Sequence, residues 1–194
     1  MLLSMASIDD PVTAIARILR IEAEAVARLA DDAAEQGNAL RHACALVIDR
    51  CGDGKPGRLV VSGVGKAGLI GRKICATFAS TGTPSLFLHP TEARHGDFGM
   101  VQATDVMLIL SNSGSSEEIL ALLPSLSHIG VPVIAVVGDP TSPLARHASV
   151  TLSIGKVTEA CPLGLAPSTS TTAMLALGDA LALTVLELRH FTPE

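Results

Sequence analysis

The chain has 194 residues, 48% of them apolar and only 17% charged, with a mean hydropathy of +0.45; so much aliphatic carbon with so little charge excludes a disordered chain. Fourteen Lys and Arg against 19 Asp and Glu leave a net charge of −5, and aromatics make up 2%, with no Trp or Tyr. That balance excludes a polyanion-binding surface and a base-stacking platform, so no nucleic-acid partner is expected, and a bound phosphate needs a local pocket.

Asp9-Asp10-Pro11 reads as a helix start, an acidic cap followed by a proline whose missing N–H costs nothing there. Ile15, Ile18, Leu19, Val26 and Leu29 recur at helical spacing to about Ala34. Gly37-Asn38 restarts the chain into a second helix through Leu40, Ala43, Val47 and Ile48, ending at Cys51-Gly52. Strands then alternate with helices: strands are expected over 58–62, 85–89, 105–110, 131–137 and 150–154. Helices are expected over 69–80, 117–128 (closed by Gly130), 142–147 and about 170–190. Continuous apolar strands between helices predict an α/β protein: a three-layer, doubly wound, flavodoxin-like sheet of five parallel strands. One domain over 1–194 is expected, with N-terminal helices over about 10–51 and an α/β core over about 58–190.

Cys44, Cys51, Cys75 and Cys161 show no C-x-x-C spacing, so they are expected to be reduced thiols and not a zinc or redox motif. Residues 1–10 carry no basic n-region and no sustained apolar run, unlike a secretory signal. Residues 171–188 are apolar but interrupted by Gly178, Asp179 and Glu187, which reads as too short and too polar for a membrane span of ~20 residues. A cytoplasmic protein with no membrane association is expected.

Ligands of such sheets bind beyond the carboxyl ends of the strands, where four segments stand out. Gly63-Val-Gly-Lys-Ala-Gly68 satisfies G-x-G-x-x-G, yet the next strand ends in His89-Pro90 where a dinucleotide site wants an acid. What survives is a close backbone approach at a helix N-terminus, with Lys66 as a point charge for an anion. Ser111-Asn-Ser-Gly-Ser-Ser116 brings hydroxyls and N–H groups to a helix start, a phosphate cradle; simple capping, with Glu118 in the first turn, is the plainer alternative. His89-Pro-Thr-Glu-Ala-Arg-His95-Gly-Asp97 offers two histidines, the side chains suited to proton transfer near neutral pH. In the last segment, 159–172, Glu159 stands among apolar and proline neighbours ahead of a Ser/Thr-rich helix start, where an acid can take and return a proton.

Ser111-Asn-Ser-Gly with its following hydroxyls resembles the signature of the sugar isomerase (SIS) domain family. The longer runs Gly63-Val-Gly-Lys-Ala-Gly, Ala76-Thr-Phe-Ala-Ser-Thr-Gly-Thr-Pro84, the segment from His89 to Asp97, and Glu159-Ala-Cys-Pro-Leu-Gly-Leu-Ala-Pro167 are most similar to D-arabinose 5-phosphate isomerases. The resemblance implies interconversion of D-ribulose 5-phosphate and D-arabinose 5-phosphate through an enediol, without a cofactor. The product would feed synthesis of Kdo, the acid sugar of lipopolysaccharide and some capsules. It implies catalytic roles for Lys66, His95, Glu118 and Glu159. It implies substrate contacts at Gly82, Thr83, His89, His95, Ser111, Ser113 and Ser116, and a zinc that inhibits at His89. The first and last helices are too apolar for fully solvated outer faces, and the resemblance points the same way, so a homodimer or homotetramer is expected; that pairing would give a partner's histidine, such as His42 or His190, a route into the site. Family members usually continue into paired CBS domains and carry Ser-His-Pro-Gly-Gly soon after the position of Phe191-Thr192; neither occurs in these 194 residues. Ser115 stands where a Glu is commoner. Two other functions stay open: a catalytically weak sugar-phosphate or nucleotide-sugar sensor, and another SIS isomerase such as a 3-hexulose 6-phosphate isomerase.

Overall fold

The computed structural model describes residues 10–190; Asp9 and Phe191-Thr192 lie outside the described residues. Five strands form one parallel sheet in the order β2-β1-β3-β4-β5, with β1 at Leu59–Gly63, β2 at Ser85–Phe87, β3 at Val106–Ser111, β4 at Val133–Val137 and β5 at Val150–Ser153. This is the doubly wound order expected. The sheet's two faces bury alternate residues of the same strands. Val61, Leu108, Leu110, Ile134 and Val136 pack with α2 (Gly37–Cys51), α3 (Gly65–Ser80) and α8 (Thr169–Leu188). Val60, Met107, Ile109, Ala135 and Val137 pack with α4 (Pro90–Arg94), α5 (Glu117–Leu120), α6 (Leu123–Ile129) and α7 (Pro143–His147). The long first helix, α1 (Pro11–Asp31), lies outside α8 and buries fully only Ala25. Gln36 closes the free edge of β5 by exchanging two hydrogen bonds with the Ser153 backbone, at 2.9 and 2.7 Å.

Several expectations are corrected. The helix after β1 starts at Gly65, not at residue 69, so the glycine loop is shorter than expected and Lys66 lies in the first helical turn. Gly65 has φ +58°, and a Cβ on Gly68 would stand 2.5 Å from the Gly63 carbonyl oxygen. The glycine pattern is thus explained by a tight strand-to-helix turn. The helix expected over 117–128 is two short ones, α5 and α6. Pro124 has no N–H to give and crowds the preceding turn, so the helix must restart around it. Strand β2 stops at Phe87; His89 instead caps α4, its Nδ1 accepting the Thr91 N–H at 3.3 Å. The segment expected as a loop from His89 to Asp97 therefore holds α4 and the start of a 3-10 turn, Asp97–Met100. Gly130 closes α6 in the left-handed conformation, as expected.

Length and polarity are not what distinguishes α8 from a membrane span: an 18-residue stretch of this 20-residue helix has a mean hydropathy of 1.5. Its packing is that of a core helix, with Ala173, Met174, Leu181, Ala182 and Val185 buried against α3 and the sheet. Of the four free thiols, Cys44 and Cys51 are buried and Cys75 and Cys161 half-buried.

Two clamps hold the edge of the sheet where the strands begin. Asp105, fully buried, accepts the backbone N–H groups of Arg58 and Gln102, each at 2.9 Å, and pairs with the Arg58 guanidinium at 2.9 Å. Arg189, at the end of α8, donates to the Gly82 carbonyl at 2.9 Å and the Thr83 hydroxyl at 3.2 Å and pairs with Asp53.

Candidate active site

Beyond the carboxyl ends of β1 and β3, the N-termini of α3, α5 and α8 converge on a cleft of about 290 Å³. Its polar lining is Lys66 from α3, Ser111, Asn112, Ser113 and Ser116 from the β3–α5 turn, and Ser170 and Thr171 from α8; Val64, Leu110 and Met174 are among its apolar walls. The β3–α5 turn is built by its own hydroxyls. Ser111 Oγ accepts the Gly114 N–H at 3.2 Å and lies 3.4 Å from Ser116 Oγ, and Ser113 Oγ accepts the Ser115 N–H at 3.2 Å. Gly114 has φ +59°, and a Cβ there would collide with Ser142 Oγ at 2.1 Å, so only glycine fits. Ser116 occupies the cap position of α5, yet its hydroxyl makes no capping bond. The plainer reading of these serines as caps is therefore not met at Ser116, which lines the cleft and whose hydroxyl meets that of Ser111. Neutral hydroxyls and a cation around a helix start form a seat for a phosphate. Lys66 is exposed and makes no ion pair among the described residues.

Glu159 stands behind the α8 side of this cleft. Its Oε2 accepts the N–H groups of Ser168 and Thr169 at 2.8 and 2.9 Å, and its Oε1 accepts the Ser170 hydroxyl. The apolar surroundings expected for this carboxylate are thus corrected: it is held at three points and caps the first turn of α8. Thr169, also buried, ties the loop a second time by accepting the Ala160 N–H at 3.0 Å.

The remaining candidates are spread more widely. Glu118 lies half-buried in the first turn of α5. His89 lines a second hollow, of about 470 Å³, with Lys66, Arg72 and Phe87; Lys66 borders both hollows. His95 is exposed at the end of α4. Gly82 and Thr83 precede β2 and so stand at the opposite edge of the sheet, on Arg189, away from the cleft. Among the described residues no group of three or more His, Cys, Asp or Glu side chains could hold a metal ion.

The cleft also has a wall that sequence reasoning left out: Pro167, Ser170, Thr171 and Met174. The Ser/Thr-rich start of α8 was the signal for it, but from the sequence only Glu159 was distinctive enough to single out.

The SIS domain pattern matches residues 55–184. The arabinose 5-phosphate isomerase KdsD of Pseudomonas aeruginosa is 49% identical over 189 residues, which cover 95% of this chain and 54% of that protein. The arabinose 5-phosphate isomerase KdsD of Escherichia coli is 58% identical over 138 residues, 71% of this chain and 42% of that protein. The chain spans about half the length of the curated relatives it matches. Among solved structures, the Escherichia coli CFT073 protein c3406, in complex with arabinose 5-phosphate, superimposes with a TM-score of 0.84 at 44% identity, covering 93% of this chain and 92% of that one.

Proposed function

The chain belongs to the SIS domain family, and from that premise we propose that it interconverts D-ribulose 5-phosphate and D-arabinose 5-phosphate. The observation that carries this reading is the cleft itself: serine hydroxyls and a cation suited to a phosphate, with a fixed carboxylate one hydrogen bond behind the wall. Ser111, Ser113 and Ser116 seat the phosphate, whose binding energy positions the reacting carbons. Glu159 takes the proton from C1 of the ketose and returns it to C2 through the enediol(ate), while a proton passes from O1 to O2; the atoms balance without a cofactor. Lys66 stabilises the oxygen charge that develops, and His95 handles the oxygen proton. Glu118 supports the acid–base pair from the start of α5, and Gly82, Thr83 and His89 complete the sugar contacts. The product is a supply for Kdo synthesis.

The same reading needs a homodimer or homotetramer. Gly82, Thr83 and His190 sit at the edge of the protomer away from the cleft, so they reach a substrate only from another copy. Val12, Ile15 and Leu19 on α1 and Leu183 and Leu188 on α8 are largely exposed and offer an apolar face for that pairing. An apolar groove of about 370 Å³ between α1, α2 and α8 continues this face.

Purified protein is tested for exchange of the transferred carbon-bound proton, at C1 of each ketose and C2 of each aldose, across several pentose and hexose phosphates. Fastest exchange and net turnover with the ribulose 5-phosphate and arabinose 5-phosphate pair are expected; binding without turnover of any of them would overturn the reading. Light scattering at micromolar concentration is expected to give a dimer or tetramer, and a stable monomer would overturn the assembly.

A further inference from the structure

We infer that Ser170 is a positioning residue for Glu159: its hydroxyl fixes the direction of the carboxylate oxygen that remains able to take a proton. The inference rests on the isomerase reading and concerns how the acid of that site is aimed.

A carboxylate offers about four lone-pair sites, two on each oxygen. Oε2 of Glu159 gives both of its own to the backbone N–H groups of Ser168 and Thr169, in the first turn of α8. Oε1 gives one to the Ser170 hydroxyl and, among the described residues, has one left. An oxygen whose lone pairs are both engaged is a poor proton acceptor, so the reacting site is the spare lone pair of Oε1. Its direction is set by the one group that shares that atom. Ser170 is 1% exposed, near the start of a 20-residue helix, so its hydroxyl is held in place by packing. It also lines the cleft, whereas Glu159 does not. Ser170 is therefore the contact through which the cleft wall and the carboxylate are kept in register. Thr169 makes the frame stiff from the other side by binding the Ala160 N–H, next in sequence to Glu159.

A displaced base loses rate more than it loses binding, and a small misplacement of a reacting group costs up to about a hundredfold. The test measures kcat and KM on ribulose 5-phosphate for Ser170→Ala, Ser170→Thr, Glu159→Gln and the double variant Glu159→Gln/Ser170→Ala, with thermal unfolding of each. Ser170→Ala is expected to lower kcat by about tenfold to a hundredfold with KM within about twofold. Ser170→Thr keeps the hydroxyl and is expected to recover most of that loss. The double variant is expected to be no slower than Glu159→Gln alone, because residues that act as a unit do not lose rate additively. A purely structural serine would add its loss in the double variant. Where the threonine methyl does not fit the buried position, the alanine variant and the double variant decide. Near-normal kcat in Ser170→Ala, a KM rise with kcat unchanged, or additive losses in the double variant would each overturn the inference while leaving the isomerase reading standing. A folded wild-type chain inactive on ribulose 5-phosphate would remove that reading, and this inference with it.

Discussion

At the edge where the strands begin, Asp105 is fully buried and every bond it makes holds backbone or Arg58, while Arg189 is spent on Gly82, Thr83 and Asp53. At the edge where the strands end, and among the described residues, the Ser116 hydroxyl caps nothing, Lys66 has no ion partner, and Oε1 of Glu159 keeps a free lone pair. The same fold thus uses polar groups as staples at one end and leaves them available at the other. Satisfied buried groups give stability, and unsatisfied groups at the mouth of a cleft are what a ligand can use. Substitutions at the two ends should therefore separate stability from turnover.

The largest effect is expected from Glu159→Gln. A positioned acid–base group contributes about 10²–10⁴-fold, and turnover of ribulose 5-phosphate is expected to fall by that much with little change in KM. The amide oxygen still accepts the two α8 N–H groups, so unfolding is expected to shift by no more than about 1 kcal/mol. Steady-state kinetics and urea unfolding read the two quantities, and near-full turnover would move the base to Glu118 or His95. Asp105→Ala tests the other end. It strips two N–H groups and the Arg58 guanidinium of their partner, and a loss of about 3–5 kcal/mol in urea unfolding is expected. Per folded molecule, sugar-phosphate affinity should hardly move. An affinity loss larger than the stability loss would erase the contrast between the two ends.

Ser113→Ala with Ser116→Ala is expected to come next. A hydrogen bond to a charged group is worth about 1.5–3 kcal/mol, so sugar-phosphate affinity, read by calorimetry, is expected to fall at least tenfold while unfolding stays near wild type. Unchanged affinity would show that the phosphate sits elsewhere. How legible these residues were in the sequence follows from how local their signals are. The strands and their order followed from apolar runs whose neighbours are helices, and the serine cradle from four serines within six residues at the end of a strand. The break at Pro124 was also written locally, in the proline itself, but the apolar spacing through it outweighed that signal. What stayed illegible depends on contacts between distant segments. Nothing near Glu159 announces that its carboxylate binds the turn at 168–170, nor that Gly82 and Thr83 rest on an arginine about a hundred residues later. Spacing marks which residues share a helix face or a strand end; it does not say which lone pairs are already taken.

The two ends also differ in the chemistry of their thiols, which gives the gentlest probe. Cys51 closes α2 beside Asp105, and burial, with the nearby carboxylate, pushes its thiol up to about 12. Cys161 lies in the loop after Glu159, where hydrogen bonds from the backbone N–H groups of Ala166, Leu163 and Leu165 hold its thiol below the ordinary range. Alkylation needs the thiolate. For a lowered group the thiolate forms early as pH rises, so the labelling rate of Cys161 with iodoacetamide should climb and level off below the ordinary thiol range of about 8.5. For a raised group the thiolate is scarce throughout, so Cys51 should label only as fast as the protein unfolds. Peptide mass spectrometry from about pH 6 to about pH 9 follows both sites in one experiment. Equal rates at the two cysteines, or a Cys161 rate still climbing above about pH 8.5, would show that the loop carrying Glu159 is not held by its own backbone in the way the geometry requires. A further comparison in urea sharpens this: partial unfolding that frees Cys51 should leave the Cys161 rate high until its loop detaches from α8 and then let it fall, because the N–H groups that favour its thiolate are then lost.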